Sequence, residues 1–338
     1  MLEEKFWSIC ILVNIFLLNI CNIAIVCFIF AKVLRKLRFI FIIMRKELEK
    51  KVERAIKLIQ SASKIAAANG CPQLEVAYSG GKDSDVILEL TKMAGVPYRA
   101  IYHNTTIDPS GTIKHAKENK VEVIHPKFTF FEMIARNGFP NTFKRFCCRY
   151  LKEIKTLDYA VVGVRKEESV SRAKRYKEPE QCRVYNKKEK VRQYFPILDW
   201  TKEDIAEFIQ ERSIKCSPIY YDAEGVFHAE RRLGCMCCPL IYHKERIKQF
   251  KEHPNMVKAY IRAGQKYLDA HKDGKTYAAH NGDVYAWFVH DLFYSRDANK
   301  WKQLNERSLL PPPITKSFLK TTSKLSFRIK SFTKTNGL

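Results

Sequence analysis

The stretch LEVAYSGGKDSDVILEL, residues 74–90, constrains the fold more tightly than any other part of the chain. An apolar, β-rich run ends at Ser79, two adjacent glycines follow, and an apolar helical run resumes after Ser84. Paired glycines cost backbone entropy wherever the chain is ordered, so this corner needs bare backbone. A strand, a glycine turn and a helix N-terminus together make an anion site, because the first amides of the helix are unpaired and its dipole is positive there. Gly80 and Gly81 admit phosphate oxygens to the backbone, Lys82 adds charge, and Ser79 and Ser84 add hydroxyl donors. Asp83 repels phosphate and is read as a helix cap or a cation holder. The spacing is neither the Walker pattern nor the Rossmann G-x-G-x-x-G.

Strands and helices alternate on either side of the corner. A charged amphipathic helix over 44–68 (Leu48, Val52, Ala55, Ile56, Ile59) is stopped by Gly70. Strands are predicted at 74–79, 98–104, 121–126 and 159–164, and helices at 84–94, 109–119, 128–137 and 143–156. Short β-rich runs separated by helices indicate an α/β fold, a doubly wound parallel sheet of Rossmann-like type. Thr201 and Asp204 read as a capping box, with Trp200 stapling to Ile205. Helices at 243–269 and 284–305 give a helical C-terminal extension. The organisation expected is an apolar segment over 1–43, a nucleotide-binding domain over 44–245, a helical extension over 246–310 and a basic, disordered tail over 311–338.

The formal net charge is +24, from 60 Lys+Arg against 36 Asp+Glu. Such a field attracts polyanions such as nucleotides, nucleic acid or an anionic membrane surface, although no recognisable nucleic-acid module is present. Residues 6–30 are almost wholly apolar and long enough to span a bilayer, followed by basic residues that favour a cytoplasmic C-terminal side. Met44 also reads as a natural start, which would leave residues 1–43 as upstream sequence; a cleaved signal peptide fits less well. The chain is expected in the cytoplasm, anchored to the inner membrane if residues 6–30 are expressed.

Five of the 11 cysteines are clustered, as Cys147-Cys148 and Cys235-Met-Cys237-Cys238. In a chain this long and core-rich, clustering favours metal or redox chemistry over a secreted disulfide framework. Cys235 and Cys238 form a C-x-x-C half-site for zinc or iron–sulfur. Arg145, Arg149, Arg231 and Arg232 flank both pairs and are expected to offset thiolate charge. In the run GVRKEESVSRAKR (163–175), Arg165, Arg172 and Lys174 follow the fourth strand, at the rim where a doubly wound sheet binds ligands.

SGGKDS resembles the pyrophosphate loop (PP-loop) of the adenine-nucleotide alpha-hydrolase superfamily. The 163–175 run is similar to the G-x-R-x-x-E-S-x-x-R loop of the phosphoadenylyl-sulfate (PAPS) and adenylyl-sulfate (APS) reductases. FPILDWTKEDIAEFI and SPIYYDAEGVFHAERRLGCMCCPL match that family too, so the resemblance spans about residues 70–245. It implies an adenine nucleotide held by Ser79, Gly80, Gly81, Lys82, Asp83, Ser84, Arg165 and Arg172, with Lys82, Asp83 and Arg165 at the chemistry. It also implies a 4Fe–4S cluster on Cys147, Cys148, Cys235 and Cys238, with zinc as the alternative metal and Cys237 as an extra; 86 residues separate Cys148 from Cys235. His103, Asn104, Thr105 and Asp108 are candidates for adenosine contacts.

The resemblance breaks at one point. The reductases carry a further C-terminal cysteine that attacks sulfur and is released by a thiol partner, whereas here no cysteine follows Cys238. Only Cys237 or Cys182 could substitute. Two reactions fit: sulfonucleotide reduction on APS or PAPS with a thiol reductant, or ATP cleavage with Mg²⁺ and AMP transfer, followed by sulfur transfer from a donor to an acceptor such as DNA or tRNA. A non-catalytic nucleotide- or metal-binding module is the remaining alternative.

Overall fold

A computed structural model of the chain describes residues 45–141, 143–185 and 189–293. The apolar segment 6–30, the tail 311–338 and residues 294–305 of the last predicted helix lie outside the described residues. Among the described residues no helix is long and apolar enough to cross a membrane.

Helix α1 (45–68) leads in. Leu48, Val52, Ala55, Ile59, Ala62 and Ala66 recur every three or four residues, all buried except the half-buried Val52, and Gly70 ends the run at φ +77°. Six strands follow: β1 (Leu74–Tyr78), β2 (Tyr98–His103), β3 (Glu122–Ile124), β4 (Tyr159–Val162), β5 (Glu180–Tyr185) and β6 (Glu189–Tyr194). Their order in the sheet is β3-β2-β1-β4-β6-β5. All neighbours are parallel except the antiparallel β5–β6 pair. The order reverses between β1 and β4, so the carboxyl ends of these two strands flank the crevice where ligands bind in such sheets.

The helices between the strands are α2 (Lys82–Ala94), α3 (Thr112–Glu118), α4 (Phe130–Asn137), α5 (Phe146–Leu151) and α6 (Val170–Arg175). They are followed by α7 (Lys202–Glu211), α8 (His243–Glu252), α9 (Pro254–Ala270), α10 (Lys275–Ala279) and α11 (Val284–Phe293). Alternation along β1 sends Leu74, Val76 and Tyr78 into a core shared with α1, α2 and α7, while Glu75 and Ala77 face a cavity on the other side of the sheet. A second core, centred on Tyr260, Phe288, Phe139 and Trp287, joins α4 and α5 to α8, α9 and α11, drawing residues from both sides of position 245. Cys147 and Cys237 are buried in it, so the cysteine segments lie where the helical layer meets the sheet.

Three expectations need correction. The helix predicted over 143–156 is confined to Phe146–Leu151. The single helix over 243–269 is two, broken at His253, because Pro254 occupies the first turn of α9 and cannot continue the preceding helix. The β5–β6 hairpin is absent from the sequence reading, since β5 is charged and mostly exposed, and β6 mixes charged residues with its buried Val191, Gln193 and Tyr194. The Thr201–Asp204 capping box is present, with Asp204 N donating to Thr201 Oγ1 at 3.1 Å and Thr201 N to Asp204 Oδ2 at 2.7 Å.

Candidate nucleotide site and cysteine cluster

The glycine corner joins β1 to α2 at the switch point. Gly80 holds φ +76°, and a Cβ there would stand 2.7 Å from the Thr112 methyl carbon. Gly81 starts α2 without a side-chain cap, and its carbonyl accepts from Ser84 N at 2.8 Å and Ser84 Oγ at 2.6 Å. The corner opens where Ser79 and Ser84 line a cavity of about 270 Å³. Across from it, Gly163 at the end of β4 presses on α2; a Cβ there would meet the Asp83 carbonyl oxygen at 2.9 Å.

The charged residues of the two loops converge on Asp83. Lys82 Nζ lies 2.9 Å from Asp83 Oδ2 and Arg165 Nε 2.6 Å from Asp83 Oδ1. Both cations are buried, and Arg165 also reaches Glu167 at 2.8 Å. Burial penalises the Arg165 charge, and the Asp83 carboxylate more than offsets it. Arg172 lines the cavity and pairs with Glu168. Lys174 is exposed on α6 and is not among the cavity's lining residues.

Tyr220 and Lys152 were not legible as site residues in the sequence. The Tyr220 hydroxyl accepts from Leu233 N at 3.3 Å, and its ring lies 5.5 Å from Lys82 Nζ. It thereby ties the corner to the segment that leads into Cys235. Lys152 lines the cavity, and its charge acts on Cys235. Although Lys152 is exposed at the surface, Cys235, Asp108 and Cys148 hold its proton more tightly than usual. The available signal was its spacing, four residues beyond Cys148 and so one helical turn away. Thr105, Asp108 and His103 also line the cavity; Asn104 does not, and pairs instead with His125 at 3.1 Å. Deeper in, the buried Glu75 accepts from Leu157 N at 3.1 Å. Burial pushes its carboxyl up, against the Leu157 hydrogen bond and Arg99.

The cysteines form one electrostatic neighbourhood centred on Cys238, whose charge acts on Cys147, Cys235 and Cys237 and is itself acted on by Cys148. Cys147 and Cys148 act on each other: the Cys147 thiol is pushed up, and Cys147, helped by Arg145 and Lys152, pulls Cys148 down. Burial raises Cys235 to about 11 and Cys237 to about 12. Cys235 Sγ lies 3.6 Å from Thr105 Oγ1. Cys237 is fully buried at φ +51°, its amide donating to Gln249 Oε1 at 2.8 Å and its carbonyl accepting from Tyr260 Oη at 2.9 Å. Among the described residues, no three of these sulfurs lie within 4.8 Å of one another.

One charge assignment is overturned. Arg231 turns away to the Tyr221 carbonyl at 2.7 Å, and Arg232 donates to the Glu168 carbonyl at 2.5 Å. Arg145, which the sequence named, acts on Cys148, and Lys152 and Arg246 act on Cys238. Neighbours in sequence diverge here because the arginines satisfy loop carbonyls before the chain reaches Cys235.

Residues 73–241 match the family model described as phosphoadenosine phosphosulfate reductase domain. The chain belongs to this family. Among its relatives, a Methanocaldococcus jannaschii protein of uncharacterised role is 27% identical over 59% of this chain and 43% of its own length. Sulfate adenylyltransferase subunit 2 of Chromohalobacter salexigens is 30% identical over 43% of this chain and 59% of that protein. The chain thus spans about half the length of the curated relatives it matches. Of solved structures, the PAPS reductase of Candida auris is 14% identical, covering 51% of this chain and 88% of that one at a TM-score of 0.32. PAPS reductase-family domains of this kind are built around adenine-nucleotide sites.

Proposed function

We propose that this PAPS reductase-family chain is an adenylyl-transferring enzyme that binds ATP in the cavity below the Ser79–Ser84 corner and passes AMP to an acceptor oxygen, in a sulfur-transfer reaction. The observation that carries the reading is that the corner's cavity reaches the edge of the cysteine cluster: Ser79, Ser84, Thr105 and Lys152 line it together, Thr105 Oγ1 lies 3.6 Å from Cys235 Sγ, and the Lys152 charge acts on Cys235. The α2 amides and Lys82 receive the departing pyrophosphate and Arg172 stands beside it, stabilising charge as it develops. Asp83 holds Lys82 and Arg165 in place until a phosphate competes for them.

ATP is favoured over APS and PAPS by the thiols. Sulfonucleotide reduction needs a nucleophilic cysteine at the nucleotide. Cys237 is sealed in the helical core, and the lining that β5 contributes is Tyr185 rather than Cys182. The relatives named sulfate adenylyltransferase point the same way.

Cys147, Cys148, Cys235 and Cys238 would hold the metal centre. A mononuclear zinc site brings its sulfurs to about 3.8 Å apart, from Zn–S bonds of about 2.3 Å. Thiols that share one field without three meeting inside 4.8 Å suit a larger iron–sulfur cluster better. Such a cluster, when bound, supplies a redox-active or sulfur-relaying centre. Lys152 and Arg246 lower the thiols' cost of ionising, and Lys152 presents the same ammonium to the cavity.

The test is anaerobic purification, metal analysis and separate incubation with ATP, APS and PAPS. Binding of ATP, formation of AMP and pyrophosphate, and loss of both in Lys82→Ala are expected. Turnover of APS or PAPS to sulfite without ATP cleavage would replace this reading with the reductase one. Calorimetry showing no association with any of the three nucleotides would end both.

A further inference from the structure

A second candidate metal centre lies outside the cysteine region. We propose that His280, His290 and Asp291 bind a divalent transition-metal ion of the zinc class. One ligand atom from each residue lies within 4.8 Å of the others, and this is the one such group among the described residues. His280 follows α10, and the turn behind it is fixed: Gly282 N donates to Tyr277 O at 2.9 Å and Asp283 N to His280 O at 2.9 Å. Asp283 Oδ1 then accepts from Tyr285 N at 2.8 Å and Ala286 N at 3.2 Å, starting α11. The turn therefore presents His280 to the far end of α11, where the two imidazole centroids are 5.1 Å apart.

The donor chemistry fits. Two imidazoles and a carboxylate are a common ligand set for zinc and its neighbours, leaving a position for water. The carboxylate is held from behind, as metal-ligating carboxylates usually are: Asp291 Oδ2 accepts from the Trp287 indole at 2.7 Å, and Trp287 is buried against Phe139, centroids 4.2 Å apart. Asp291 Oδ1 faces His290 Nδ1 at 2.9 Å. His290 is exposed and can swing the short distance that coordination requires. The ion would fasten the α10–α11 turn to the third turn of α11 and, through Trp287, to the helical core.

The probe is zinc, titrated into the full chain without an added histidine tag, under anaerobic conditions. Bound zinc is counted and its ligands read by X-ray absorption. The wild type should take one more equivalent than His290→Asn or His280→Asn, with affinity for it falling about 100-fold in either variant. That extra ion should show nitrogen and oxygen neighbours at about 2.0–2.1 Å rather than sulfur at about 2.3 Å. Zinc should raise the melting temperature of the wild type more than that of His290→Asn, whose exposed position leaves the fold intact. Equal stoichiometry in all three proteins, or sulfur around the extra ion, would overturn the proposal. His271→Asn, which removes an imidazole stacked on Tyr267 outside the group, should leave zinc uptake unchanged.

Discussion

Gly163→Ala tests whether the nucleotide site depends on two chain segments touching backbone to backbone. The new methyl would sit 2.9 Å from the Asp83 carbonyl oxygen and 3.1 Å from its carbonyl carbon. Both are main-chain atoms in the first turn of α2, and no side chain can rotate to make room. Overpacking of this kind costs about 1–3 kcal/mol. Gly163 is outside the left-handed region, so alanine also removes unfolded-state freedom and returns about 0.4–1 kcal/mol. The net loss therefore lies between about 0 and 2.6 kcal/mol, centred on about 1.3 kcal/mol, or a fall in melting temperature of roughly 3–5 °C for a domain of this size. The displacement falls on the turn that carries Lys82 and Asp83, so ATP affinity should drop further than stability does. Thermal unfolding with and without ATP reads both. Gly234→Ala is the stability control, because a Cβ there meets nothing within 4 Å. If Gly163→Ala matches that control in melting temperature and in ATP-induced stabilisation, the close-contact reasoning is wrong.

Other substitutions probe separate parts of the argument. Asp83→Asn strips the shared carboxylate from two buried cations and should cost about 3 kcal/mol in urea unfolding of the nucleotide-free protein, with saturating ATP restoring more stability to the variant than to the wild type. Lys152→Met should weaken metal retention by the cysteine cluster about tenfold, measured as iron lost to a chelator over time. Thr201→Ala removes one half of a capping box and should lower stability by about 1 kcal/mol. His115 sits 3.0 Å from Asp85 in a buried network with Tyr78. Burial opposes its protonation, but the Asp85 carboxylate outweighs that and holds its affinity for the proton above the usual value. Its stabilising effect is then complete below about pH 6.5 and is lost as pH rises through the folded value. Urea unfolding between pH 6 and pH 9 should show that fall in the wild type and a smaller one in His115→Gln.

Much of the sheet and the glycine corner was legible in the sequence because short-range chemistry writes them. An apolar run ending in Ser79-Gly80-Gly81 has few options besides a strand turning into a helix start, and the positive φ of Gly80 is what a glycine is needed for. The capping box at Thr201 and the stop at Gly70 are equally local. The β5–β6 hairpin escaped because β5 is a charged, largely exposed edge strand and β6, though it pairs with β4 and buries Val191 and Tyr194, carries too many charged residues to read as an apolar run. The break at His253 was encoded by Pro254 and was missed by reading periodicity without its breaker.

The residue types of the candidate site are read from the sequence alone: glycines at a strand–helix corner, cations in the loops after β1 and β4, thiols in two close pairs. Their pairing is not. Asp83 and Arg165 meet across 82 residues of chain, and Lys152 reaches Cys235 from another segment altogether. Which charges neutralise one another, and which remain to face a ligand, depends on distance through a low-dielectric interior. Only the sheet order, which sets β1 beside β4, fixes that distance.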